Sequence, residues 1–224
     1  MFEPQRKTFK LNVSPVMSSH LTGENIINPT TGKEPTREEI NYFKEHRKDI
    51  LEPPLFAQSK RTGTALHGAQ SRNIIMEHDL GDVAHQKGLI KPTYDYDVWS
   101  KNPKKSAIEI EKTIDKKIGS DMTYIKVEAI SKAPGTTGTK RDFERYTLMA
   151  RATPATRQEV DYATFPIKSE RPYNIVKIGG VKHEDVVSAL DRAHDIKYHP
   201  KRYFKTFADI HRMKTYQELI GEKK

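Results

Sequence analysis

Residues 55–105 carry no hydrophobic period that lasts. Apolar residues recur neither every three or four positions, as a helix face needs, nor every second position, as a half-buried strand needs. Asn73-Ile74-Ile75-Met76 suits at most one helical turn or a short strand. A structureless run of about fifty residues is out of place inside a compact domain. The expectation is that the first half of this 224-residue chain is not a compact domain.

Composition points the same way. Leu, Ile, Val and Phe make up about a fifth of the chain, charged residues 31%, and the net charge is +9. Ordering each residue costs roughly 1–2 kcal/mol, and few apolar side chains are present to offset it. Such a chain is expected to order mainly on an assembly partner. Its basic balance, with a pI near 9.5, calls for an acidic one. There are no cysteines, which excludes disulfides and thiolate metal sites. The first residues resemble neither a secretory signal nor a mitochondrial presequence. No apolar stretch is long enough to span a membrane. A soluble protein of the cytoplasm is expected.

Residues 1–35 read as extended, punctuated by Pro4, Pro15, Pro29 and Pro35. Ile26 and Ile27 lead into a compact turn, Asn28-Pro29-Thr30-Thr31-Gly32, with Gly32 free to take positive φ. Thr36 and Glu39 form a capping box. A helix follows near 37–51 with Ile40, Phe43, Ile50 and Leu51 on one face, ended by Pro53-Pro54. Tyr94, Tyr96 and Trp99 look like aromatic anchors for a binding surface, or else a small local core. Ser106 and Glu109 suggest a second capping box, then Ile110, Ile114 and Ile118 on a helix closed by Gly119. Strands are expected near 124–130 and 174–178, and helices near 140–151, 184–196 and 200–220. In the last, Phe204, Phe207, Ile210, Met213, Tyr216 and Leu219 recur every three residues, a stripe that drifts around the surface.

No motif carries chemistry. Gly135-Thr136-Thr137-Gly138-Thr139-Lys140 has two residues between its glycines where a phosphate loop needs four. His183-Glu184-Asp185 opens like a zinc-protease helix, but Val187 stands where the second histidine belongs. No nucleophile elbow occurs, and no carboxylate pair is distinguished among the thirty acids. The expectation is a non-enzyme with no catalytic residue, metal, cofactor or small-molecule substrate. Residues 197–205 join Lys197, Lys201, Arg202 and Lys205 to Tyr198, Tyr203 and Phe204. Rings interleaved with cations suit single-stranded nucleic acid, or equally a helix start with its lysines in water.

The turn Asn28-Pro29-Thr30-Thr31-Gly32, set in an extended, basic, cysteine-free chain, resembles the microtubule inner proteins of cilia and flagella. That resemblance implies a non-catalytic structural protein bound to tubulin and neighbouring axonemal proteins, stabilising the doublet lattice in the cytoskeleton of the cilium axoneme. The rival expectation is an accessory, RNA-binding subunit of a ribosomal-type nucleoprotein assembly. The expected fold class is mostly irregular, with short α-helices, a few short strands and no large single core. Residues 1–105 would be an extended arm and residues 106–224 a more helical part. The expected partner-binding residues are Ile26, Ile27, Asn28, Pro29, Gly32, Ile40, Phe43, Tyr94, Tyr96, Trp99, Lys201, Arg202, Phe204 and Phe207.

Overall fold

A computed structural model describes residues 26–27, 30–130, 143–152, 158–164, 174–196 and 203–222. The extended, core-poor expectation is overturned. One eight-stranded mixed sheet runs through the chain, with helices packed against it. The strands are β1 (Ile26–Ile27), β2 (Ala65–His67), β3 (Tyr96–Ser100), β4 (Thr123–Ile130), β5 (Phe143–Ala150), β6 (Gln158–Thr164), β7 (Ile175–Ile178) and β8 (Val181–Glu184). The helices are α1 (Arg37–Glu45), α2 (Arg47–Thr62), α3 (Gly68–Leu80), α4 (Asp82–Gln86), α5 (Pro103–Ile118), α6 (Val186–Ile196) and α7 (Tyr203–Glu222). The sheet order is β1-β4-β5-β6-β3-β2-β8-β7. The β3–β6 and β2–β8 pairs are parallel and all others antiparallel. Strands β2 and β3, from residues 1–105, thus lie between β6 and β8, from residues 106–224. No helix among the described residues is long and apolar enough to cross a membrane.

The core suffices because one sheet serves two layers. On one face Phe43, Leu51, Leu55, Ile110 and Ile114 from α1, α2 and α5 meet Leu66, Val98, Leu148, Val160 and Tyr162 from the strands. Side chains alternate along a strand, so Asp97, Trp99 and Asp161 turn to the other face. There α3, α6 and α7 build a second cluster from Ile75, Met76, Leu190, Ile210 and Met213. Burying each large aliphatic side chain contributes roughly 1.5–3 kcal/mol.

Several local expectations change. The Thr36–Glu39 capping box forms as read. Pro53 and Pro54 do not end the second helical stretch, because α2 runs through both to Thr62. An internal proline costs about 3 kcal/mol, and burial of Ile50, Leu51 and Leu55 is large enough to offset it. Helix α5 starts earlier than the Ser106 box, at Pro103, capped by the Asn102 side chain. Ser106 instead meets the Ser100 hydroxyl inside the fold at 2.7 Å. The helix expected near 140–151 is strand β5. Tyr146, Leu148 and Ala150 face the core while Arg145 and Thr147 face away, which is a period of two.

The Thr30–Gly32 turn is pinned within the chain. Asp121 Oδ1 accepts from the Thr30 amide at 3.1 Å, the Thr31 amide at 2.6 Å and the Thr31 hydroxyl at 2.7 Å. Its Oδ2 accepts from the Gly32 amide at 2.9 Å. Burial alone would raise the Asp121 carboxyl, but these donors outweigh it and hold it below the usual range.

Candidate functional site

The first turn of α3 meets the end of β2 at Gly68, where φ is +75°. A Cβ at Gly68 would lie 1.9 Å from Asp97 Oδ2. Glycine therefore serves two ends here, a left-handed backbone and room for a carboxylate. Beside it opens a cavity of about 220 Å³, lined by β2–α3, the segment entering β3, α6 and the start of α7.

One wall is acidic. Asp95 and Asp97 stand two apart on the chain entering β3 and both line the cavity. Asp97 is paired in register with Asp161 of the parallel neighbour β6, so the third carboxylate shares their face. The Thr93 hydroxyl donates to Asp95 Oδ1 at 2.7 Å. No hydrogen bond or ion pair from a described residue reaches Asp97. Burial, then the charges of Asp95 and Asp161, push its carboxyl up to about 7, against the pull of Arg72 and Lys205. Asp161 is held differently. Its Oδ1 accepts from the Thr147 hydroxyl at 3.0 Å and its Oδ2 pairs with Arg145 Nη1 at 3.2 Å.

The facing wall is basic, formed by Arg72, Lys91, Arg192 and Lys205. Asp209 of α7 gathers Lys91 at 3.1 Å, Arg72 at 3.3 Å and Arg212. Burial would raise the Asp209 carboxyl, but Arg72 and Lys91 outweigh it and hold it low. Arg192 pairs with buried Glu184 and lies 5.1 Å above the Trp99 ring. His67 stacks on that ring at 4.3 Å. Burial, with Arg192 and Arg72 nearby, holds His67 well below the usual histidine range, so its ring is neutral. Lys205 makes no ion pair with a described residue.

The donor chemistry fits a hard divalent cation. Asp95 and Asp97 offer carboxylate oxygens, and no described residue hydrogen-bonds to or ion-pairs with Asp97. Among the described residues no three acids or histidines are gathered closely enough to chelate a metal by themselves. Magnesium is commonly held in that way, by one or two carboxylates plus substrate phosphates and water. The basic wall is placed to receive such phosphates.

The fold resembles that of the Megavirus polyadenylate synthase. The match covers 84% of this chain and 33% of that one, at 16% identity and a TM-score of 0.50. This chain thus spans about a third of that protein's length. No family model and no curated protein matches the sequence. The likeness is one of fold alone.

The residues expected to bind a partner do not come together. Ile26 and Ile27 pair with β4 through their backbones, and Gly32 sits in the Asp121 clasp. Ile40 packs beside the core, and Phe43 and Tyr96 lie within it. Trp99 is 5% exposed. Tyr94, Phe204 and Phe207 are exposed, Phe204 at 86%. Asn28, Pro29, Lys201 and Arg202 fall outside the described residues. What the sequence reading passed over is Asp95-x-Asp97. Two acids flanking a buried tyrosine on a strand must share one face; that alternation was the available signal.

Proposed function

We propose that this chain binds a nucleoside triphosphate together with a divalent cation in the α3 cavity and transfers its nucleotidyl group to an acceptor hydroxyl. The observation that carries the reading is the Asp97 carboxylate beside Asp95, bonded by no described residue, with Arg72, Arg192 and Lys205 lining the same cavity. The likeness to a polyadenylate synthase fold supports the reaction class. The microtubule expectation rested on basic charge and the Asn28–Gly32 turn as well as on an extended chain, and the sheet corrects the last of these.

The roles follow from position. Asp95 and Asp97 hold the cation, and Gly68 leaves space for Asp97 to do so. Arg72, Arg192 and Lys205 receive the phosphates, with Asp209 and Glu184 fixing the two guanidinium groups. A bound cation would neutralise charge that develops on the phosphate oxygens. In the transfer, an acceptor oxygen bonds to the α-phosphorus. The bond to the bridging oxygen of the β-phosphate breaks, and pyrophosphate leaves. The acceptor's proton passes to water. The low-dielectric basic wall stabilises the negative charge on the departing group.

Calorimetric titration with the four common nucleoside triphosphates, in Mg²⁺ and in EDTA, tests binding. A pyrophosphate-release assay tests transfer. Binding should require the cation and fall about tenfold or more, at least 1.4 kcal/mol, in Asp97→Asn. Equal nucleotide affinity in EDTA and in Mg²⁺ would sink the proposal.

A further inference from the structure

We infer that the Thr30–Gly32 turn is a proton-dependent latch, closed while Glu111 and Asp115 of α5 share a proton and loosened when that proton leaves. The latch lies on the α5 side of the sheet and does not depend on the nucleotide reading.

Glu111 and Asp115 stand four residues apart on α5, and so one above the other on one helix face. Both are buried, at 3% and 0% exposure. Each carboxyl has one oxygen engaged. Glu111 Oε2 accepts from the Thr30 hydroxyl at 2.8 Å. Asp115 Oδ1 accepts from the Thr123 amide and hydroxyl, both at 2.9 Å. The other two oxygens, Glu111 Oε1 and Asp115 Oδ2, are buried without a protein donor. The two carboxyls lie within hydrogen-bonding reach of each other. Two carboxylates only accept, whereas a carboxylic acid donates to a carboxylate. One proton between them therefore supplies the missing donor.

The surroundings hold that proton in place. Asp121, kept ionised by the donors of the turn, presses on both groups with its charge. The facing cations do not offset it. Lys112 acts on Glu111 but is exposed. Lys33, beside the turn, pairs with Glu39 of α1 at 3.7 Å, and Arg151, just after β5, pairs with Glu34 at 2.9 Å. Strand β4 presents the uncharged Thr123, while β5 and α2 bring Leu148, Ala150, Leu51 and Leu55 to the shared core. Burial, with the charges of Glu111 and Asp121, pushes the Asp115 carboxyl up to about 7 against the Thr123 bonds.

Thr30 ties this pair to the turn, since its hydroxyl meets Glu111 and its amide meets Asp121. Thr31, Gly32 and Lys33 are exposed, so hydrogen bonds to acids hold the turn rather than core packing. When the shared proton leaves, three like charges surround Thr30, and the turn is the element free to give way. A released turn lets the pair ionise nearer ordinary values, about 4. Opening is therefore favoured as pH climbs from there to about 7.

Amide hydrogen exchange of the full chain, expressed as protection factors at pH 5 and pH 8, tests this. The Thr31 and Gly32 amides, which donate to Asp121, should lose protection about tenfold or more between the two. In Asp115→Asn the side-chain amide is a fixed donor where the shared proton was, and the change should shrink to less than about twofold. Glu111→Gln supplies the same donor from the other side and gives the same answer should Asp115→Asn not fold. Asp97→Asn, which silences the cavity carboxyl, should keep the wild-type loss. A flat wild-type profile would overturn the inference. So would a wild-type loss that persists in the folded Asp115→Asn or Glu111→Gln chain, or one that disappears in Asp97→Asn. Should neither α5 variant fold, the wild-type and Asp97→Asn profiles decide.

Discussion

Replacing Asp97 by Asn should make the cation-free protein more stable, and increasingly so as pH rises. In the fold the Asp97 carboxyl titrates at about 7 because burial and the charges of Asp95 and Asp161 oppose its ionisation. In an unfolded chain an aspartate titrates near 3.9. Between those values the folded state holds more protons than the unfolded state. Wild-type stability therefore falls as pH climbs through that window. Integrated over the titration, the ionisable group costs roughly 2 kcal/mol at pH 5 and roughly 4 kcal/mol at pH 8. Asn has the same shape and no charge, so its advantage should grow by about 2–3 kcal/mol between the two pH values. At about 2–4 °C per kcal/mol for a chain of this size, that is a differential of several degrees in Tm. The assay is thermal denaturation in EDTA at pH 5 and pH 8, repeated with Mg²⁺ and nucleotide. Wild type should regain stability when Mg²⁺ and nucleotide are added at pH 8, and the variant should not. If Asp97→Asn lowers Tm at pH 8, or raises it equally at both pH values, the like-charge argument is wrong.

Four further outcomes follow from packing. Gly68→Ala would bring a Cβ to 1.9 Å from Asp97 Oδ2 at a φ of +75°. It should cost about 1–3 kcal/mol by urea denaturation and abolish cation-dependent nucleotide binding in the same preparation. Asp121→Ala removes the acceptor of the Thr30–Gly32 clasp and should destabilise the fold by roughly 3 kcal/mol, with faster amide exchange at Thr31 and Gly32. Trp99→Ala should cost about 3–5 kcal/mol of fold stability as a core truncation. Phe204→Ser, at a side chain almost wholly in water, should change stability by less than about 0.5 kcal/mol.

Elements with a clean period or a cap were legible. The α1 cap, the isoleucine stripe of α5, the Gly119 terminus, β4 and β7 all lie where the sequence pattern puts them, within a few residues. The elements that escaped are those whose two faces meet different surroundings. Helix α3 buries Ser71 and Asn73 as well as Ile75 and Met76. Its polar positions bond inward, Ser71 to the Leu66 carbonyl and His183 and Asn73 to the Lys91 backbone, so no apolar stripe is left to see. In β6 the alternation of Val160 and Tyr162 with Glu159 and Asp161 places acids where a two-sided core would place aliphatics. The site was hidden by its own neighbours. Tyr96 and Trp99 drew the reading of that stretch toward a partner surface, whereas both are buried. Asp161 could be tied to Asp97 only through the β3–β6 pairing, a contact between distant parts of the chain that no local pattern states.

The parallel pairing of β3 with β6 also sets the order in which this protein can come into being. Strand β3 is complete at Ser100, but its partner ends at Thr164. At a synthesis rate of about 5–20 residues per second, the newborn chain waits roughly 3–13 seconds between the two. During that interval β2 and β3 can pair only as a two-stranded ribbon, because β6 and β8, which flank them on either side, have not been made. Both edges of that ribbon are open to any passing strand. Non-local parallel pairing of this kind is slow in itself. The acidic wall of the cavity is therefore among the last features to be assembled, and a nascent chain carries Asp95 and Asp97 on a bare edge until the strand bearing Asp161 closes over it.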